Sequence, residues 1–216
     1  MSKVTRFFFA ALAAGAVVFT AACSSDSSAA DTSTDTAPGA RSVLEAGESN
    51  PMIAQGVEIA GDATVYKTSG IGPTAMNDAA PTGTPESFVD TDEFSGGTLP
   101  DGVTVTEAQG INVLKKIRDN LEAEGYSLED VVTMRVFLDN APGAAVADFA
   151  GWNRAYRQFF ANTNLDSDET ELVPMGTAEP AAPVERNSAR PTRFALEVAT
   201  LPVPGWLVEV EVDAVK

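Results

Sequence analysis

Apolar positions recur along the chain with two periods, and the periods divide it into elements. Ile111, Leu114, Ile117 and Leu121 fall on one helical face, while Lys115, Lys116, Arg118, Asp119 and Glu122 take the others. Thr106-x-x-Gln109 predicts a capping box at the start of that helix, and Gly125 is placed to end it. Val132, Met134, Val136 and Leu138 alternate with Thr133, Arg135 and Phe137, which predicts a strand with one buried face. A second helix is predicted from about Val146 to Phe160, where Phe149, Trp152, Tyr156 and Phe159 form a wide aromatic face read as core. Upstream, Val57 and Ile59, then Val65 and Tyr66, flank Ala60-Gly61-Asp62 and predict a β-hairpin. Downstream, residues 191–202 and 206–216 predict two strands joined by a turn around Pro202, Pro204 and Gly205. Arg193 stands at the entrance of the first of these strands and Glu209 lies inside the second.

The order is hairpin, helix, strand, helix, strand, strand. Each helix can cover one face of a single sheet, so the expected class is α+β, a two-layer mixed β-sheet backed by two helices. Two stretches break the pattern. Residues 73–102 are rich in Pro, Gly, Thr and Asp, with Phe88 and Phe94 as aromatic anchors, and residues 161–190 carry Pro174, Pro180 and Pro183. Loops of this length inside a domain are lids or excursions stitched down by their own side chains. Gly70-x-Gly72 is followed by Pro73 with no helix start, so it is not a nucleotide fingerprint. Asp166, Asp168, Glu169 and Glu171 lack the glycine and ligand spacing of a calcium loop and read as a solvated acidic segment.

Charge and composition narrow the chemistry. The net charge is −17, so a phosphate backbone is not an expected partner. With no histidine in the chain, Ser-His-Asp catalysis and His-based metal sites are excluded, and no metal or cofactor is expected. Lys3 and Arg6 precede an apolar run from Phe7 to Ala22, short for a membrane-spanning helix and about the length of a signal core. The run ends in Thr20-Ala21-Ala22 before Cys23, the only cysteine, and resembles a lipoprotein signal in which Cys23 is lipidated. On that reading residues 1–22 are a signal peptide and residues 23–48, poor in apolar anchors, are a flexible tether. The domain would occupy residues 49–216, outside the cytoplasm and held to the membrane by its lipid alone. A plain secretory signal cut near Ala22 is the alternative.

Three blocks, in order, carry a family resemblance. They are Thr106-Glu107-Ala108-Gln109 leading to Val131 through Asp139; Phe149 through Phe160; and Pro191-Thr192-Arg193 with Glu197-Val198, Leu201-Pro202 and Val208-Glu209-Val210-Glu211. In these the chain resembles the Rid family (RidA or YjgF type), whose best-known members are enamine/imine deaminases. The resemblance implies a chorismate-mutase-like (YjgF-like) fold assembled as a homotrimer, with clefts between subunits. It implies that Arg193 grips a substrate carboxylate and that Glu209 positions the hydrolytic water, with Ser69, Asn153 and the backbone N–H of Ala195 lining the pocket. The implied reaction is hydrolysis of a small 2-imino acid to a 2-oxo acid and ammonia.

The chain also departs from the family pattern. The usual Pro-Tyr-x-Gln-Gly appears as Pro51-Met52-Ile53-Ala54-Gln55-Gly56, Ala195 stands where a cysteine is frequent, and both long excursions exceed those of compact members. A non-catalytic extracytoplasmic trimer that binds a small carboxylate ligand or a partner protein is therefore the alternative function.

Overall fold

The alternating residues of 131–138 build the strand on which the domain is assembled. The computed structural model describes residues 33–37 and 39–216. It contains β1 (Ser33–Ala37), β2 (Ala40–Val43), β3 (Gly56–Ile59), β4 (Val65–Lys67), α1 (Val105–Ala123), β5 (Val131–Leu138), α2 (Phe149–Arg157), β6 (Thr192–Glu197) and β7 (Val208–Val215). Four strands form a mixed sheet in the order β4-β7-β5-β6. β7 runs antiparallel to β4 and β5, and β6 runs parallel to β5. The class is α+β, as the periodicities imply.

Met134, Val136 and Leu138 of β5 and Val208, Val210 and Val212 of β7 face the helices, where they meet Ile111, Leu114, Ile117 and Leu121 of α1. Each such side chain contributes about 1.5–3 kcal/mol on burial. Trp152 and Tyr156 complete the layer from α2, and a Cβ placed on Gly110 would lie 2.7 Å from the Ala155 Cβ, so the glycine lets the two helices close together.

Several sequence expectations need correction. Helix α1 is capped by Thr104, whose hydroxyl accepts the Glu107 N–H at 3.1 Å, two residues before the expected box. Helix α2 is shorter than expected, beginning after an Asp148 cap and ending at Arg157, and Phe149 is 38% exposed rather than in the aromatic face. The strands of the expected 57–66 hairpin part company. Residues 60–63 do turn, but β3 pairs with β2 in a separate sheet of order β1-β2-β3 while β4 joins β7. The tether read through residue 48 is likewise shortened, because β1 and β2 already belong to that sheet. Small residues suffice there: Ala40 and Val57 pack on Val132 and Val215. The signal segment and Cys23 lie outside the described residues.

The two excursions are pinned to the body by buried amides. Asn112 of α1 donates to Thr74 O and Phe88 O and accepts from Thr74 N–H, while Phe88 and Phe94 are buried as the expected anchors. In the second excursion Asn162 donates to Arg157 O and Glu185 O and accepts from Asn187 N–H. Glu171, read as part of a solvated loop, pairs with Arg157 at 2.6 Å and accepts from Asn50.

Candidate ligand-binding site on strand β6

Strand register decides which side each candidate occupies. Arg193 is opposite Met134 and Ala195 opposite Val136, so both share the helix-facing side. Thr192, Phe194 and Leu196 share the other face with Thr133, Arg135 and Phe137. The Arg193 guanidinium lies over the Tyr156 ring, 4.2 Å from its centroid, and its Nη2 donates to Asn153 Oδ1 at 2.7 Å. Asn153 and Tyr156 stand one helical turn apart on α2, so they present the oxygen and the ring to the same side chain.

The second terminal nitrogen is unusual. Arg193 Nη1 is buried and has no hydrogen-bond acceptor. No carboxylate among the described residues forms an ion pair with Arg193, and burial draws its pKa below the ordinary arginine value. Burial also pushes the Tyr156 phenol up, so it stays protonated and donates to Met52 O at 2.8 Å. A cavity of about 340 Å³ opens at this place, lined by Ile53, Gln55, Thr133, Thr192, Arg193 and Phe194. A fork of donors whose Nη1 is unmet beside this cavity can take a carboxylate or another planar anion.

Glu209 lies elsewhere. It is opposite Phe137 on β7, so it occupies the face away from the helices, and β5 stands between its strand and β6. The expected turn-linked neighbours are therefore not paired to each other, and within one chain Arg193 and Glu209 lie on opposite faces of the sheet. Ser69 is exposed and precedes Gly70, where an added Cβ would lie 2.0 Å from Glu209 Oε1. The residues around them rejoin the ladder, with Thr68 N–H bonded to Val212 O and Ile71 N–H to Val210 O. The chain thus gathers Arg193, Asn153 and Ala195 at one place and Ser69 and Glu209 at another.

Arg190 was not singled out by sequence reasoning, yet it is 1% exposed. It donates to Pro51 O at 2.9 Å, Asn50 Oδ1 at 2.6 Å, Thr163 O at 2.7 Å and Ser188 O. It thereby fixes residues 50–51, which lead into the wall of the cavity. Nothing in the sequence pattern separates a buried arginine from an exposed one.

Comparison with known proteins agrees with the blocks that led to this site. A RutC family protein of Pyrococcus horikoshii is 31% identical over 104 residues, covering 48% of this chain and 57% of its own. A RutC family protein of Saccharolobus solfataricus is 39% identical over 56 residues, covering 26% and 40%. The chain spans about half the length of these curated relatives. Among solved structures, the Rid family protein YyfB from Yersinia pestis is 20% identical with a TM-score of 0.43, covering 82% of this chain and 98% of its own. A YjgF/YER057c/UK114 family member from Mycobacterium tuberculosis is 18% identical with a TM-score of 0.37, covering 81% and 98%. A family model described as endoribonuclease L-PSP matches residues 94–216, which takes in α1, β5, α2, β6 and β7. With more than half of its length so matched, the chain belongs to the endoribonuclease L-PSP family, the YjgF/Rid group.

Proposed function

We propose that this protein is a Rid-type hydrolase that deaminates a small 2-imino or enamine acid in a cleft completed by a second copy of the chain. The observation that carries the reading is Arg193: a guanidinium with no carboxylate partner among the described residues, held by Asn153 and Tyr156, with a buried Nη1 lacking an acceptor. A substrate carboxylate would meet that fork. Water would add to the C=N carbon, the C–N bond would break, and a 2-oxo acid and ammonia would leave. Glu209 of another copy would hold the water and pass its proton to nitrogen, since no histidine is available. Holding water and imine in line is worth about 7–11 kcal/mol in good intramolecular cases.

The placement of Glu209 on the opposite face from Arg193 favours a site shared between copies over one within a chain. Phe194 and Leu196, 45% and 51% exposed on the Glu209 face beside Phe137, offer apolar surface for such a copy to cover. Assembly as a homotrimer, lipidation at Cys23 and residence outside the cytoplasm complete the proposal. The acidity of the chain disfavours RNA as the substrate despite the family's description.

The test is ammonia release from freshly generated 2-imino acids by the purified chain. Turnover that disappears in Arg193→Ala, with unchanged folding, supports the proposal. Turnover that survives removes Arg193 from its role. Stabilisation by 2-oxo acids without any turnover would establish the non-catalytic carboxylate binder instead.

A further inference from the structure

A second cavity, of about 410 Å³, shares no lining residue with the one beside Arg193. Its walls come from the first excursion and from the polar side of α1, and they carry three carboxylates and three cations. Most of these charges cancel in place. Lys115 pairs with Asp90 at 2.9 Å and with Glu93 at 2.7 Å, and Arg118 pairs with Asp119 at 3.0 Å. Lys116 and Asp92 are left over. Lys116 Nζ donates to Gly72 O at 3.0 Å and has no carboxylate oxygen within 4.0 Å among the described residues. The Asp92 carboxylate, likewise among the described residues, has neither an ion pair nor a hydrogen bond. The chain has 31 acidic side chains, and apart from Arg190 and Arg193 every other Lys and Arg of the described residues is paired with one. An ammonium with no carboxylate is therefore an exception in this protein.

We infer that this cavity binds a small zwitterion, a free α-amino acid, whose carboxylate meets Lys116 and whose ammonium meets Asp92. An ammonium offers only donors and a carboxylate only acceptors, so each unpaired wall charge complements one end of such a ligand. The two stand more than 4.0 Å apart, which leaves a place between them. A ligand with a single charge would satisfy one wall and leave the other unmet. Thr74 adds a hydroxyl and Met76 a flexible apolar contact for the ligand's side chain. The volume falls within the range of about 300–1,000 Å³ usual for small-molecule sites. The wall is also held in shape before any ligand arrives. Asp90 Oδ1 accepts the Asp92 N–H at 2.9 Å, the Thr91 hydroxyl donates to Met76 O at 3.0 Å, and the bond to Gly72 O steadies Lys116.

The experiment measures binding of L-leucine to the full chain by calorimetry. Alongside it stand 4-methylpentanoate and 3-methylbutylamine, which keep the same arm with one charge each. Leucine is expected to bind at least about tenfold more tightly than either, the scale of a hydrogen bond to a charged group. Lys116→Gln and Asp92→Asn, both at exposed positions, are each expected to weaken leucine about tenfold with an unchanged melting temperature, while Lys116→Arg keeps the affinity within about threefold. Arg193→Ala is expected to leave leucine binding unchanged, which separates this site from the one on β6. Absence of saturable leucine binding, or equal affinities for the three compounds, would overturn the inference. So would undiminished binding in either charge-removing variant, or loss of binding in Arg193→Ala.

Discussion

Replacing Gln109 by alanine tests whether the first excursion and the start of β7 are held by a single buried amide. Gln109 is fully buried in α1; its Nε2 donates to Pro85 O at 3.0 Å and Gly205 O at 2.8 Å, and its Oε1 accepts Leu207 N–H at 2.7 Å. Truncation leaves two carbonyls and an N–H without this partner. A buried group left unsatisfied costs about 1–3 kcal/mol, so three of them, partly relieved by relaxation, amount to about 3–6 kcal/mol. That is a large part of the 5–15 kcal/mol typical of a folded domain. Urea unfolding should show a lower midpoint with an unchanged slope. Gln109→Met separates the causes, because it restores volume but no hydrogen-bonding groups. The reasoning predicts that methionine recovers less than half of the loss. Recovery of nearly all of it, or a loss below about 1 kcal/mol in the alanine variant, would refute the amide account.

Two further outcomes follow from other parts of the sheet. Burial pushes the Asp213 carboxyl up, but hydrogen bonds from Arg135 and Lys67, both at 2.9 Å, outweigh it and hold the pKa below its ordinary 3.8. A carboxyl depressed in the folded state adds stability above its unfolded value, and that stability is lost as pH falls through the folded one. Thermal melts of wild type and Asp213→Asn should therefore differ most near neutral pH and converge in acid well below pH 3.8; a constant gap would contradict this. In Gly70→Ala the new Cβ would fall 2.0 Å from Glu209 Oε1, so the carboxylate must swing away. The expected result is a melting temperature within a few degrees of wild type and ammonia release reduced about as far as in Glu209→Gln, whereas full activity would show that Glu209 need not stand where it does.

The parts of the fold that were legible in the sequence are those set by one local period. Helix α1 and strand β5 declare themselves through Ile111, Leu114, Ile117 and Leu121 and through the alternation from 132 to 138. Partner choice is not a local property. Period-two alternation identified β6 and β7 as strands but not that β5 would lie between them, and the 60–63 turn looked like a hairpin although its strands serve different sheets. The Ser- and Ala-rich residues of β2 gave no strand signal because they pack on small surfaces. The burial of the amides at Gln109, Asn112 and Asn162 was not legible, and Gln109 was read only as part of a capping box, since nothing local says that three buried backbone groups will converge on each. Arg193 and Asn153 were legible through the family blocks, while the stacking on Tyr156 and the unmet Nη1 required three dimensions.

The parallel pairing of β6 with β5 also bears on how the chain reaches its native state. Thr133 and Thr192, bonded across that pair at 3.1 Å, are 59 positions apart; the Arg135–Glu211 and Lys67–Asp213 contacts span 76 and 146. Contacts this distant return nothing until a long loop has been closed, and topologies dominated by them fold in milliseconds to seconds rather than microseconds. Strand β6 can dock only after the whole of α2 and the second excursion have been made, so Arg193 meets Asn153 and Tyr156 late. A chain released before that step would expose one side of β5 as an open edge, the kind of surface on which unfinished chains associate.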